Sequence, residues 1–552
     1  MVKKANLLMN TIQAITQILK AEGVNFVACF PSNPLIEELA KADIRPVMFR
    51  QERGALMAAD GFSRISNRKS FGIALTQSGP GAENSMGGIA QAFSDNVPIL
   101  YLPAGPRLSE YAVRPNFSAV KTFETVTTHA EVITNADQTV NVMRRAFHHL
   151  RNGRPGPVIV EVPADVGSQQ LSYKNINYIP PERYAQCPDS TDIKQAIDLL
   201  SKAERPVIWA GMGVLLAGAS QVLKSFAEAT GIPVFCTMGG KSAFDERHPQ
   251  SLGSGSGATT LPGYRWIRES DVLLALGSSL TRTPYGQTIP DNKDIIHNTE
   301  SLEDINKDYS VKIGLPGDAK LTLESLLDEF QSRSIQPIDV TKEISHLKYE
   351  WMNQWKPLLT SNEVPVNTYR VIYEIIQNLN LENSIITHDA GAPRDCIVPF
   401  YPATVPHSYI GWGKTTHLGF SIPLMMGAKL AQPSKFCLNL MGDAAFGMSG
   451  LDLETAVRCQ IPITTVVLNN SGMATYPIGT SLHMPVAYQR FGATKMKGDY
   501  AQMAEGMGAT GLVVKQPYEI ADALQEAQKL NFNGKTVLID VHSNMETQRS
   551  RL

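Results

Sequence analysis

The chain has 552 residues, 43% hydrophobic and 18% charged, with a formal net charge of −2. It is too long for one core, and its composition is that of an ordinary globular protein of three or four domains. Near-neutral charge without a long basic run gives no reason to expect a nucleic-acid or membrane partner, and no apolar run approaches the roughly 18–20 residues that cross a bilayer.

The chain opens on "MVKKANLLMNTIQAITQILKAEG", where Leu7, Leu8, Ile12, Ile15 and Leu19 recur at helical spacing with polar residues between them. This predicts an amphipathic first helix rather than a signal peptide, and a cytoplasmic protein. Strand-like apolar runs then alternate with helical patterns: "NFVACF", "RPVMF", "FGIALT", "PILYLP", "PVIVEVP", "RPVIWAG", "PVFCT", "DVLLALG", "SIITHD", "FCLNLMGD", "ITTVVLNN" and "KTVLIDV". Continuous β-branched runs between helices predict an α/β protein with parallel sheets covered on both faces. Polar stretches at 169–190 and 332–365 read as linkers. They divide the chain into three doubly wound domains, at 1–168, 190–331 and 365–552. Six cysteines at 29, 187, 236, 396, 437 and 459 form no CxxC pair, which suits buried thiols in a reducing compartment.

The stretch "GDAAFGMSGLDLETAVRCQIPITTVVLNN" places Asp443 at the end of one strand and Asn470 at the end of the next, with a helix between. A strand–helix–strand crossover in one sheet makes the strands parallel, so both carboxyl ends reach the same edge. Either residue alone is what a sheet-edge turn favours. Together, one carboxylate and one amide oxygen are hard ligands for Mg²⁺. The small residues of "GDAAFGMSG" let a phosphate approach the backbone at a helix start.

This segment resembles the thiamine diphosphate motif of the acetolactate synthase-like enzymes, GDG or GDA followed by NN. The resemblance implies that Asp443, the Asn470 side chain and the Gly472 carbonyl bind Mg²⁺, with Gly442, Ala444 and Ala445 against the diphosphate. "VMFRQERGALMAADGFSRI" resembles the family's pyrimidine-domain motif, making Glu52 the acid that faces N1′ of the aminopyrimidine. "TQSGPGAENSMGGIAQAFSDNVPIL" places Gly79, Pro80 and Asn84 near the cofactor. Similar segments recur along nearly the whole chain. The resemblance further implies a C–C bond-forming or bond-cleaving decarboxylase or carboligase of a 2-oxo acid. Its active sites would lie at the interface of a homodimer or homotetramer.

Several positions depart from the pattern. Leu418 stands where relatives wedge the cofactor with a large apolar residue, and the Thr416 carbonyl would face the 4′-amino group. "DAGAPRD" leaves Gly391 and Ala392 only main-chain groups to offer. "FPSNP" (30–34) and "PNFSAV", with Asn116 or Ser118, replace the family's substrate-facing segments, so the substrate is open. "AGMGVLLAGAS" (210–220) could bind an adenine nucleotide such as CoA or ADP, or simply turn a strand into a helix. "GSSLTRTPYG" keeps Arg282 but lacks the acidic pair of the flavin motif, which leaves FAD in doubt. His129 and His417 are candidate acids beside Glu52, each also readable as structural. The alternatives are a 2-hydroxyacyl-CoA or oxalyl-CoA lyase, for which Arg549 and Arg551 could contact CoA, and a catalytically silent regulatory subunit.

Overall fold

The computed structural model describes residues 8–111, 113–473 and 485–551. The chain forms two compact units, residues 1–184 with 426–431, and residues 185–425 with 432–552.

In the first unit the opening helix spans Thr11–Ala21 and buries Ile12, Ile15, Ile18 and Leu19; Leu7 lies outside the described residues. Asn10 caps it by accepting from the Gln13 amide, while the Gln13 side chain accepts from the Asn10 amide. Six parallel strands follow: β1 (Phe26–Cys29), β2 (Arg45–Met48), β3 (Gly72–Thr76), β4 (Ile99–Gly105), β5 (His129–Val132) and β6 (Val158–Pro163). Their order is β2-β1-β3-β4-β6-β5. The inner strands β1, β3 and β6 are buried end to end, and β4 at all but Ala104, which is why they read as unbroken apolar runs.

The second unit holds two such sheets. The central one comprises β7 (Val207–Ala210), β8 (Val234–Thr237), β9 (Ser251–Gly255), β10 (Val272–Leu276), β11 (Asp294–Thr299) and β12 (Ile313–Pro316), in the order β12-β11-β10-β7-β8-β9. The last comprises β13 (Ser384–His388), β14 (Tyr409–Ile410), β15 (Phe436–Gly442), β16 (Thr464–Asn469), β17 (Thr510–Val514) and β18 (Val537–His542), in the order β14-β13-β15-β16-β18-β17. The first and last sheets share one topology, while the central sheet has the doubly wound order 3-2-1-4-5-6. In each, the order reverses near the middle of the sheet, between β1 and β3, β7 and β10, or β13 and β15. Open α/β sheets bind ligands in the crevice at that point.

The predicted linker at 332–365 contains a helix, Thr341–Leu359. Its buried residues Ile344, Leu347 and Trp351 are widely spaced among charged ones, so composition concealed a helical period. Trp351 stacks on Phe400 with ring centres 4.6 Å apart, anchoring this helix beside the last sheet.

Candidate active site

β15 and β16 are direct neighbours, with Gly442 opposite Leu468. Asp443 and Asn470 therefore leave adjacent strands, about 4.8 Å apart in the sheet. Asp443 is the first residue of the helix Asp443–Ser449 and is 1% exposed. Its Oδ1 accepts from the Ala444 amide at 2.8 Å. Its Oδ2 is buried without a hydrogen-bond partner of good geometry. Burial pushes its pKa up, while the amides of Ala444, Gly472 and Ser471 oppose that shift.

Ser471 adopts a left-handed φ of 57°, which turns the chain so that these amides face the carboxylate. The Gly472 amide donates to Asn470 Oδ1 at 3.0 Å. The loop is held from outside: Met496 N donates to Ser471 O and Met473 N to Thr494 O. A Cβ added at Gly442 would meet nothing within 4 Å, so the backbone beside Asp443 is open to a ligand. Among the described residues, no group of three or more His, Cys, Asp or Glu could hold a metal ion. A site built here would have a single carboxylate, completed by amide and carbonyl oxygens.

The paired asparagines divide their work. Asn469 donates to Asp540 Oδ1 at 3.0 Å and to Gly498 O at 3.3 Å, and Asp540 Oδ2 accepts from the Tyr500 amide at 3.0 Å. Asn469 thus braces the edge, while Asn470 accepts from the Gly472 amide in the loop that follows β16.

The other predicted residues of this unit surround the β13–β15 crevice. Gly391, with φ of 82°, caps the helix Ala392–Phe400. Thr416 has φ of 50°, and Leu418 is exposed. Both loops are fastened to Asp389, which sequence reasoning passed over. Its carboxylate accepts from the Ala390, Gly419 and Ser421 amides at 2.8, 3.0 and 3.0 Å. The signal was available: "SIITHD" ends an apolar run in a carboxylate, as "FCLNLMGD" does.

In the first unit, Glu52 opens the helix Glu52–Ile65 and is 4% exposed. Its Oε2 accepts from Asn84 Nδ2 at 3.2 Å, joining two predicted residues. Gly79, with φ of 64°, precedes the turn Pro80–Glu83 that delivers Asn84. Asn33 of "FPSNP" is buried, donating to the Thr76 and Leu102 carbonyls at 2.9 and 3.0 Å, so it braces the sheet edge. Ser118 Oγ donates to Tyr111 Oη, which donates to the buried Glu161, while Asn116 donates to Glu110 O. His129 hydrogen-bonds Glu131, which also pairs with Arg145, and stacks on His149 at 4.2 Å. These contacts give it a structural role on the edge strand β5. His417 is half-buried.

At the central sheet, Gly211 N donates to Leu276 O and Gly213 N to Gly277 O. A Cβ at Gly211 would sit 2.3 Å from Gly277 O, and one at Gly213 2.6 Å from Gly277 Cα. These glycines let two turns close on each other, and both amides already have acceptors. No helix among the described residues is long and apolar enough to cross a membrane.

Comparison with known proteins agrees with this arrangement. Three thiamine pyrophosphate enzyme families match in order: the N-terminal TPP binding domain at residues 9–132, the central domain at 193–326 and the C-terminal TPP binding domain at 389–541. A probable acetolactate synthase large subunit of Methanococcus aeolicus is 30% identical, covering 94% of this chain and 90% of its own. That of Methanocaldococcus jannaschii is likewise 30% identical over the same shares. The acetolactate synthase isozyme 3 large subunit of Escherichia coli is 27% identical, covering 97% of this chain and 95% of its own. With three TPP-enzyme domains in sequence order and the sheet edges that such domains require, the chain belongs to the thiamine pyrophosphate enzymes of the acetolactate synthase type.

Proposed function

We propose that the protein is a thiamine diphosphate- and Mg²⁺-dependent enzyme that forms or cleaves a C–C bond of a 2-oxo acid. The observation that carries this reading is the buried Oδ2 of Asp443, which no donor meets in good geometry, beside a glycine whose Cβ position is empty. A buried carboxylate oxygen left without a donor is costly unless a cation completes it. Asp443, the Asn470 side chain and the Gly472 carbonyl would hold Mg²⁺. Main-chain groups of Gly442, Ala444, Ala445, Gly391 and Ala392 would meet the diphosphate.

When bound, thiamine diphosphate supplies the electron sink for decarboxylation and acyl transfer. The chain's own residues do the rest. Glu52, sheltered from water and steadied by Asn84, would exchange a proton with the aminopyrimidine N1′. The Thr416 carbonyl would orient the 4′-amino group, and Leu418 would set the bend of the cofactor. Gly79 and Pro80 would shape the wall beside Asn84. The domains would span 1–168, 190–331 and 365–552.

Leu418, Met448, Leu451 and Met473, all exposed on the segments that carry Thr416, Asp443 and Asn470, support burial against a second copy. We therefore read a homodimer or homotetramer with sites at its interface; a fully active monomer in sedimentation would refute this. Six free cysteines, five of them buried, suit a cytoplasmic enzyme.

A CoA-thioester lyase is less well supported. Arg551 pairs with Asp395, Arg549 donates to the Glu546 and Gln548 carbonyls, and Ser550 between them is buried. The basic residues that would greet CoA are tied into the fold. A silent regulatory role is disfavoured by the presence of Glu52, Asp443 and Asn470 together.

Product analysis with Mg²⁺ and thiamine diphosphate tests the reading across pyruvate, other 2-oxo acids and acyl-CoAs. Turnover of a 2-oxo acid is expected. Turnover of acyl-CoAs alone would transfer the assignment to the lyase.

A further inference from the structure

We infer that Asp389 is the positioning residue that aligns three cofactor-facing segments at the β13–β15 crevice. The inference rests on the reading of the site proposed above.

Asp389 is fully buried and, among the described residues, has no ion-pair partner. Three backbone amides hold its carboxylate: Ala390 and Gly419 donate to Oδ1, and Ser421 donates to Oδ2. The Ser421 hydroxyl lies beside the same carboxylate, accepts from Asn439 Nδ2 at 3.2 Å and donates to Met441 Sδ at 4.0 Å. A buried carboxylate lacking a counter-ion persists only where donors replace its water.

Each of these bonds governs a different part of the site. The Ala390 bond fixes the entrance to the turn at Gly391, where φ is 82°. The Gly419 and Ser421 bonds fix the loop that presents Thr416 and Leu418; Gly419 itself has φ of 75°. Asp389 N donates to Leu440 O at 2.7 Å, tying the same residue to the strand that leads into Asp443. One residue thus relates three segments: its carboxylate joins the diphosphate turn to the aminopyrimidine loop, and its backbone amide joins both to the metal strand.

The residue type follows from the donor count. A carboxylate accepts on both oxygens, whereas asparagine has one acceptor oxygen and would turn an NH₂ toward a backbone N–H. Asp389→Asn leaves a buried amide unsatisfied without changing side-chain volume. The Asp389 carboxylate is spent on backbone amides, so its effect appears in cofactor binding rather than in the chemical step.

The test uses full-length protein stripped of cofactor by a chelator, as wild type, Asp389→Asn and Ser421→Ala. Thiamine diphosphate is titrated by calorimetry in the presence of Mg²⁺. The melting temperature of each cofactor-free protein and kcat at saturating cofactor are measured alongside. Asp389→Asn is expected to raise the cofactor Kd at least about tenfold, with kcat at saturation largely retained. Ser421→Ala should raise Kd about two- to fivefold. A lowered melting temperature with unchanged Kd would overturn the inference, since that is what a purely structural residue gives. If Asp389→Asn does not fold, Ser421→Ala decides by the same criterion. Wild type that binds no cofactor would sink the functional reading itself; wild type and Asp389→Asn binding equally would sink only the role of Asp389.

Discussion

At the switch point of the central sheet, between β7 and β10, the turns at Gly211–Gly213 and Gly277 fill the crevice with each other's backbone. At the corresponding point of the last sheet, the neighbouring strands β13 and β15 lead into Asp389 and Asp443, and a Cβ added at Gly442 would meet nothing within 4 Å. The sheets have the same strand number and the same parallel pairing. They differ in whether the edge retains unused hydrogen-bonding capacity. In the central sheet glycine permits close approach, so the Gly211 and Gly213 amides find acceptors within the protein. In the last sheet one buried oxygen of Asp443 has no well-aligned donor, although the Ser471 and Gly472 amides face the carboxylate. Glycine at a switch point therefore carries two opposite meanings, closure of a turn or room for a ligand, and only the fate of its amide tells them apart.

The comparison can be sharpened by separating cofactor chemistry from cofactor binding. Glu52→Gln should lower cofactor C2 proton exchange about 10²–10⁴-fold, the range for a positioned acid or base, while cofactor affinity stays near wild type. Proton NMR of the bound cofactor reads this directly, and unchanged exchange would remove Glu52 from the mechanism. Next in size, Asp443→Asn should weaken Mg²⁺-dependent cofactor binding by at least about 10–100-fold, the loss seen when even a metal's outer shell is disturbed. Retained affinity would mean that the last sheet's edge is no metal site.

The central sheet should respond in the opposite way. Gly213→Ala would place a Cβ 2.6 Å from Gly277 Cα, and such overpacking costs about 1–3 kcal/mol. Thermal unfolding should show that loss, with cofactor affinity unchanged and no flavin absorbance in either protein. A yellow protein, or a shifted cofactor Kd, would break the contrast drawn here. The smallest effect belongs to Asn84→Ala, which deletes one hydrogen bond to Glu52. About 0.5–1.5 kcal/mol, or a severalfold fall in kcat, is expected from steady-state rates.

The sequence made the inner strands legible because strands covered on both faces are continuous apolar runs, as in "PVIVEVP" and "DVLLALG". The edge strands β5, β9, β12, β14 and β17 escaped notice. β5, β12 and β17 are only partly covered and β14 is two residues long, while β9 is buried but reads as the Gly-Ser run "SLGSG" with little apolar signal. β11 was also missed, its "DIIHNT" carrying too few apolar residues in a row. At the site, Asp443, Asn470 and Glu52 were readable because chemistry fixes their types and topology their neighbourhood. Asp389 could have been flagged by its place after an apolar run, but what it and Asn469 hold could not. Their partners are backbone amides and a carboxylate 71 positions away, which no local pattern encodes.

The most direct measurement is a calorimetric titration of the cofactor-free protein with thiamine diphosphate, with and without Mg²⁺. Saturable binding that requires the metal and is lost in Asp443→Asn is the predicted result. Binding indifferent to Mg²⁺ and to Asp443, or no binding at all, would contradict the assignment of the β13–β15 crevice as the cofactor site.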